Sequence, residues 1–436
     1  MKLNKEIAAL TLPNIVSNIT VPLMGMADVA IAGYTGGDAS IGGISIGTTV
    51  FNMIYWNCSF LRMGGSGLTA QHYGAGRASE CALTLGRLLC MALAMSLALL
   101  AVKTPLTALA LRVMGAPADA GSAAAAYIGA RYWAIPASVS LFALSGWFIG
   151  MQRPQIPMAV AIVGNVVNVG ASLALGVGMG MGVEGVAWGT VVAQYASLAL
   201  SLALAGARFG GLFRGVAWRR MLDRRQVSRL VGINRDIFLR TACLVCVFTS
   251  FTALSARHGS ATLAANALMM QFFTLFSYLT DGLAYAAESL VGRLVGSGGR
   301  TLLSAAIARL TAAGALTALA YTAAFALWWR DILGLFSPSE AAMAEAGAHI
   351  GWAMAMPLAC FYAFIADGVM VGATRAAAMR NTMAAATALF FATYAALRGA
   401  LGADALWVAF LLYMLSRGLL LLPHVRRLTA GPVCKV

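Results

Sequence analysis

The sequence predicts an all-α polytopic membrane protein of about twelve transmembrane helices, built as two pseudo-symmetric six-helix lobes around a central cavity. Three observations predict it. The chain of 436 residues is 60% hydrophobic and only 10% charged, with a mean hydropathy of +0.81, whereas an ordinary soluble domain is about 25% charged. Apolar runs of roughly 20 residues, the length that crosses a bilayer, recur from one end to the other. Motifs of the first half also return in the second half at a constant interval. This composition excludes the soluble enzyme classes. The net charge of +15 is then read as topology, not as a nucleic-acid footprint.

Glycine, proline and charge punctuate the apolar runs into helices over residues 9–33, 42–70, 82–110, 122–150, 157–178, 184–206, 231–256, 262–292, 302–329, 348–373, 381–401 and 404–424. The first begins after Lys2 and Lys5 and is too long for a cleavable leader, so it stays as a span. Asp38 lies in the turn to the second helix, and Arg77 follows the second. Lys103, Arg112 and Asp119 surround the end of the third, and Arg153 follows the fourth. Glu184 opens the sixth. The only long polar stretch, 207–230, carries the Arg208–Arg229 cluster and separates a lobe at 1–206 from a lobe at 231–436. In the second lobe Arg257, Arg330, Asp331, Glu340, Arg398 and Asp404 alternate with Arg293, Arg300, Arg375, Arg380, Arg426, Arg427 and Lys435. Basic residues concentrate on the side that holds the termini and the linker. The positive-inside bias therefore predicts cytoplasmic termini and a basic cytoplasmic linker, in a bacterial-type inner membrane.

The repeat is carried by "GWFIGMQRPQIPM" and "GVMVGATRAAAMR". Gly146, Gly150 and Arg153 match Gly368, Gly372 and Arg375. The same interval relates Leu68, Gly74 and Gly76 to Leu290, Gly296 and Gly298, and Gly37 to Gly259. Six helices per repeat keep both lobes in one orientation, the parallel-repeat plan of transporters that open a central site alternately. The acids are not repeated. Asp28 falls opposite Ser250, Asp281 opposite Ser59, Glu288 opposite Ser66 and Asp367 opposite Ser145. Each lobe therefore carries its own chemistry.

Asp28 stands in "PLMGMADVAIAG", where a membrane aspartate costs about 2.5–3.5 kcal/mol on insertion scales. Asn14, Ser17, Asp28 and Thr35 share one helical stripe, and Asn165, Asn168 and Ser172 lie at i, i+3 and i+7 on one face of the fifth helix. Pro13 and Pro22 remove backbone bonds from the first helix and mark it as the hinge. Asp281, Glu288 and Asp367, with Arg62 and Arg240, form a second charged set. Its plain reading is arginine–carboxylate pairing. Its functional readings are an inner gate, with Arg62 or Arg240 on Glu288, or a second proton site. Four histidines, none near a second ligand, predict neither a metal site nor a cofactor nor enzyme chemistry.

The motifs "LPNIVSN…ADVAIAG", "RMGGSGLTAQHYGAGR", "GNVVNVGASL…GVEGVAWGTVVAQY", "DGLAYAAESLVGRLVGSG" and "DGVMVGATRAAAMRN" resemble the multidrug and toxic compound extrusion (MATE) transporters, in their DinF-like branch. The resemblance spans essentially the whole chain. It implies antiport: amphipathic, cationic organic compounds leave as protons or sodium ions enter. It also implies that Asp28 is the cation-responsive group, with Asn165, Asn168, Ser172 and Thr190 as its polar pocket. Sodium-binding members similar to this chain often carry Asn-x-x-x-Asp in the fifth helix. Ser172 stands in that aspartate's place here, which favours protons. The partners expected are a small-molecule substrate and the bilayer, with no nucleic acid, and the protein is expected to be a monomer. The alternative is a flippase of lipid-linked saccharides, which needs basic residues for pyrophosphate. Arg62, Arg131 and Arg240 are the only candidates.

Overall fold

The computed structural model describes residues 2–114, 118–334 and 339–430. The side chains of Lys2, Thr35, Asp38 and Asp119, and all of Lys435, lie outside the described residues. Those residues form fourteen α-helices and no strand: α1 (Lys2–Cys58), α2 (Phe60–Gly74), α3 (Ala78–Ala101), α4 (Lys103–Val113), α5 (Ala118–Arg131), α6 (Ile135–Gly150), α7 (Gln155–Ser172), α8 (Gly182–Phe213), α9 (Arg224–Ser255), α10 (Ser260–Ser297), α11 (Arg300–Gly334), α12 (Glu340–Gly372), α13 (Ala376–Leu401) and α14 (Asp404–Ala430). Eleven stretches among them are long and apolar enough to cross a membrane. The protein is a multi-pass membrane protein.

The differences from the expected helices have local causes. The third expected span divides at Val102 into α3 and α4, because Pro105 disfavours a continuous helix before it. The fourth passes through a 3₁₀ turn at Tyr132–Ala134, where Pro136 lacks the donor that α-geometry needs. The second expected span ends at Cys58 and restarts at Phe60, which leaves α2 at 15 residues, short of a crossing. The expected linker is shorter than 207–230. α8 continues to Phe213 and α9 starts at Arg224, because arginines are good helix formers and need not stop a helix once it leaves the membrane.

α1 is helical over 57 residues, but it is not one straight rod. Ile31 and Ile44 belong to one buried cluster with Tyr127 and Val186, although 13 residues of straight helix would hold them about 20 Å apart. A Cβ on Gly33 would lie 3.8 Å from Ile41 Cδ1. The helix axis therefore bends between them.

The chain divides into two compact units, 16–230 in one and 1–15 with 231–436 in the other. The expected lobe at 1–206 differs from this in residues 1–15 and in the linker. Unit 16–230 keeps the linker because buried Arg87 ties it down: Nε donates to Met221 O at 3.0 Å, Nη2 to Arg220 O at 2.9 Å, and Nη1 meets Glu80 at 3.2 Å. Inside this unit α6 packs on α2, and inside the other α12 packs on α10. The repeat glycines make both contacts. A Cβ on Gly146 would strike the Arg62 backbone, and one on Gly150 would lie 2.7 Å from Ser66 O. A Cβ on Gly368 would strike the Ala284 backbone, and one on Gly372 would lie 2.7 Å from Glu288 O. The second unit is cored by aromatics, with Phe251, Trp407 and Phe410 packed edge to face or tilted.

Candidate functional site: a buried acid in one unit and a neutralised acid in the other

In unit 16–230, α1 brings Asp28 beside α8. Its side chain is 1% exposed. Thr190 sits one turn after Val186 on α8, and its hydroxyl lies 3.4 Å from Asp28 Oδ2 and 3.3 Å from Val186 O. Asn168, fully buried on α7, donates Nδ2 to Thr190 Oγ1 at 3.1 Å. Asp28 Oδ1 and Asn168 Oδ1 are buried and lack a hydrogen-bond partner. The pocket thus holds one carboxyl that is half satisfied, among groups whose bonds can rearrange.

Only part of the expected pocket meets at the carboxyl. Asn165 donates to Thr20 O at 2.9 Å, two residues before Pro22, and so braces α1 where proline weakens its ladder. Ser172 donates to Val186 O at 3.3 Å, and the missing Cβ of Gly189 leaves room for it. It fastens α7 to α8. Asn14 donates to Leu10 O within its own helix. Ser172 was the residue on which the proton preference turned. Its place against a helix carbonyl leaves Asp28 as the one acid of this network.

Tyr127 and Arg131 were not foreseen at this site. Tyr127 shares a buried cluster with Ile31, one turn after Asp28, and its hydroxyl accepts from Arg131, whose guanidinium acts on Asp28 electrostatically. The i, i+4 spacing of Tyr127 and Arg131 on one helix was the available signal. Nothing in the sequence joined that pair to Asp28.

In the other unit, Asp367 on α12 receives two guanidiniums on one oxygen. Arg240 of α9 bonds Oδ2, and Arg417 of α14 bonds the same atom at 2.9 Å. Arg417 is 2% exposed and lies over the rings of Tyr413 and Phe364 at 5.6 and 5.8 Å. Arg240 thus pairs with Asp367, which α12 presents to α9. Arg417 was missed because it sits in an apolar run that reads as a plain span. Arg62, Asp281 and Glu288 each engage neighbours, and Glu288 is 1% exposed.

One histidine departs from expectation. His349 Nδ1 lies 2.7 Å from Asp404 Oδ1, and its Nε2 lies 3.6 Å from Glu345 on its own helix. Asp404 also accepts from Trp352 Nε1 at 2.7 Å. α14 delivers that carboxylate, so linear spacing could not show it. Among the described residues no cluster of three or more His, Cys, Asp or Glu could hold a metal ion.

Comparison with known proteins bears on this geometry. The MatE family model matches residues 13–173 and again 237–397, one match to each half. The chain is 34% identical to DNA damage-inducible protein F of Escherichia coli, over 97% of this chain and 92% of that one. It is 21% identical to multidrug resistance protein MdtK of Yersinia pestis, over 98% and 96%. Its structure matches the Vibrio cholerae MATE transporter VcmN in the bent form with a TM-score of 0.87 at 16% identity, covering 99% of both chains.

Proposed function

Because the chain belongs to the MatE family of multidrug and toxic compound extrusion transporters, we propose that it exports amphipathic, cationic organic compounds in exchange for protons, by alternating access. The proposed setting is a bacterial inner membrane, with both termini in the cytoplasm. The names of its relatives support the substrate class, since one is a multidrug resistance protein. The lipid-saccharide flippase is not favoured, because the family is that of extrusion transporters and one relative is a multidrug resistance protein.

One observation carries the choice of coupling acid. Asp28 is buried with one oxygen unpartnered, while Asp367 is held by two arginines. A carboxylate already neutralised by two guanidiniums has little to gain from a proton. Asp28 has a proton to gain and a network that accepts both of its states. When Asp28 is ionised, the single Thr190 hydroxyl proton goes to Oδ2. When Asp28 is protonated, that proton turns to Val186 O, and Thr190 Oγ1 accepts from the acid while still accepting from Asn168. Loading and release thus re-aim bonds between α1, α7 and α8 without stranding a donor. Pro13 and Pro22 leave α1 the helix most ready to bend in response.

The test is Asp28→Asn, which keeps shape and hydrogen bonding but cannot change charge. It is expected to reach the membrane at wild-type levels and to lose gradient-driven dye efflux. Wild-type efflux at matched expression would remove Asp28 from the mechanism.

A further inference from the structure

Arg131 is a buried charge that the transport reading does not yet use. It closes α5 and is 5% exposed. One terminal nitrogen donates to the Tyr127 hydroxyl and, at 3.3 Å, to Thr48 Oγ1, while Nε is buried without a partner. The guanidinium carbon lies 5.0 Å from the centre of the Phe51 ring and 5.3 Å from that of Tyr127. Tyr127 lies in one buried cluster with Ile31, one turn after Asp28 on α1, and with Val186, one turn before Thr190 on α8. The hydrogen bond from Arg131 to Tyr127 therefore sets the guanidinium in the neighbourhood of the Asp28 carboxyl, and its charge acts on that carboxyl.

We propose that Arg131 is a fixed cation that stands in for a metal ion beside Asp28, and so restricts the coupling site to protons. The oxygens for a small metal cation are already there: Asp28 Oδ1 and Asn168 Oδ1 are buried and unpartnered, and the Thr190 hydroxyl lies between the two side chains. What opposes sodium is charge. A sodium ion at Asp28 would sit in the field of a guanidinium that cannot be deprotonated. In a partly buried site, the repulsion between two neighbouring unit charges weakens binding on the order of 10- to 100-fold. A proton avoids the conflict, because it ends as part of a neutral carboxyl. The guanidinium then keeps its charge against the faces of Phe51 and Tyr127, which favour a cation. Arg131 is a specificity-determining residue in this scheme. The inference rests on Asp28 being the coupling acid.

The experiment uses the full chain in proteoliposomes and in detergent. Arg131→Gln removes the charge, and Asp28 can then neutralise itself with a proton, so the fold survives. The wild type is expected to show the same thermal midpoint in sodium chloride and in choline chloride, and no efflux on a sodium gradient at symmetric pH. In Arg131→Gln, sodium but not choline is expected to raise the midpoint, and an inward sodium gradient to drive efflux. Adding Asp28→Asn should abolish that response. Arg131→Lys keeps the charge and should remain blind to sodium. Arg131→His gives the same test where the glutamine variant fails to assemble: it should respond to sodium at pH 8, with a neutral ring, and not at pH 5.5. Sodium dependence in the wild type or in Arg131→Lys would overturn the proposal. So would a folded Arg131→Gln, or Arg131→His at pH 8, that ignores sodium. Proton-driven efflux surviving in Asp28→Asn alone would instead refute the coupling acid, which separates the two failures.

Discussion

Thr190 can serve Asp28 in either charge state because its one hydroxyl proton has two acceptors at nearly equal distance, Val186 O at 3.3 Å and Asp28 Oδ2 at 3.4 Å. Thr190→Val keeps the shape and removes both roles, so the Asn168 amide and the acid lose a partner in a buried setting. Leaving such groups unpaired costs about 1–3 kcal/mol. The expected outcome is proton-driven efflux slower by about tenfold or more, while Thr190→Ser retains most of it. Initial efflux rates in inverted vesicles at matched expression check this. Equal rates in the valine variant would mean that the hydroxyl is a helix brace only. Asn165 and Ser172 already have that bracing role, since each donates to a backbone carbonyl of a neighbouring helix. Residue type alone could not separate these roles. All four side chains are polar groups on helix faces, and only their neighbours differ.

At the scale of the helices, the duplicated glycines explain why two dissimilar acid sets share one scaffold. Gly150 lets α6 lie on Ser66 O, and Gly372 lets α12 lie on Glu288 O, each with no room for a methyl group. Ser66 and Glu288 are the positions that the repeat relates, so the backbone contact is kept while the side chain changes. Gly150→Ala and Gly372→Ala are each expected to destabilise by about 1–3 kcal/mol through overpacking. Gly129→Ala on α5, which would meet nothing within 4 Å, should be neutral or gain up to about 1 kcal/mol from helix propensity. Thermal unfolding of the purified variants in one detergent checks the contrast. The same midpoint for all three would show that the close helix contacts carry no weight. Prolines act differently at this scale. Pro105 and Pro136 coincide with interruptions of the helical backbone, whereas Pro13 and Pro22 lie within continuous helix.

At the scale of the whole molecule, the two units are alike in plan and unlike in charge. Unit 16–230 holds the half-satisfied Asp28, and the other holds Asp367 under two arginines. Residues 1–15 of α1 belong with 231–436, and the rest of α1 belongs with 16–230. The changeover falls between Pro13 and Pro22. If Asp28 is the coupling acid, the driving ion for the complete protein is the proton. In liposomes loaded with a cationic dye, an inward proton gradient should drive efflux in sodium-free buffer, and collapsing the pH difference should stop it. Efflux that persists after collapse and follows a sodium gradient would reverse the assignment.

The sequence by itself determined the solvent, the helical class, the twofold repeat and the odd status of Asp28. These are legible because hydropathy, helical spacing and repeated motifs are properties of linear order, and because a lone acid in an apolar run is conspicuous wherever it lies. Linear order also carried Asn168 and Thr190 to the site, through the motifs they belong to. The tertiary structure alone decided which charges compensate which. Arg240 and Arg417 lie 127 and 50 residues from Asp367, and Arg131 acts on Asp28 from another helix. Such pairings depend on which faces of packed helices meet. A buried charge takes its counter-charge from whatever the fold brings within a few ångströms, however far away it lies in the chain.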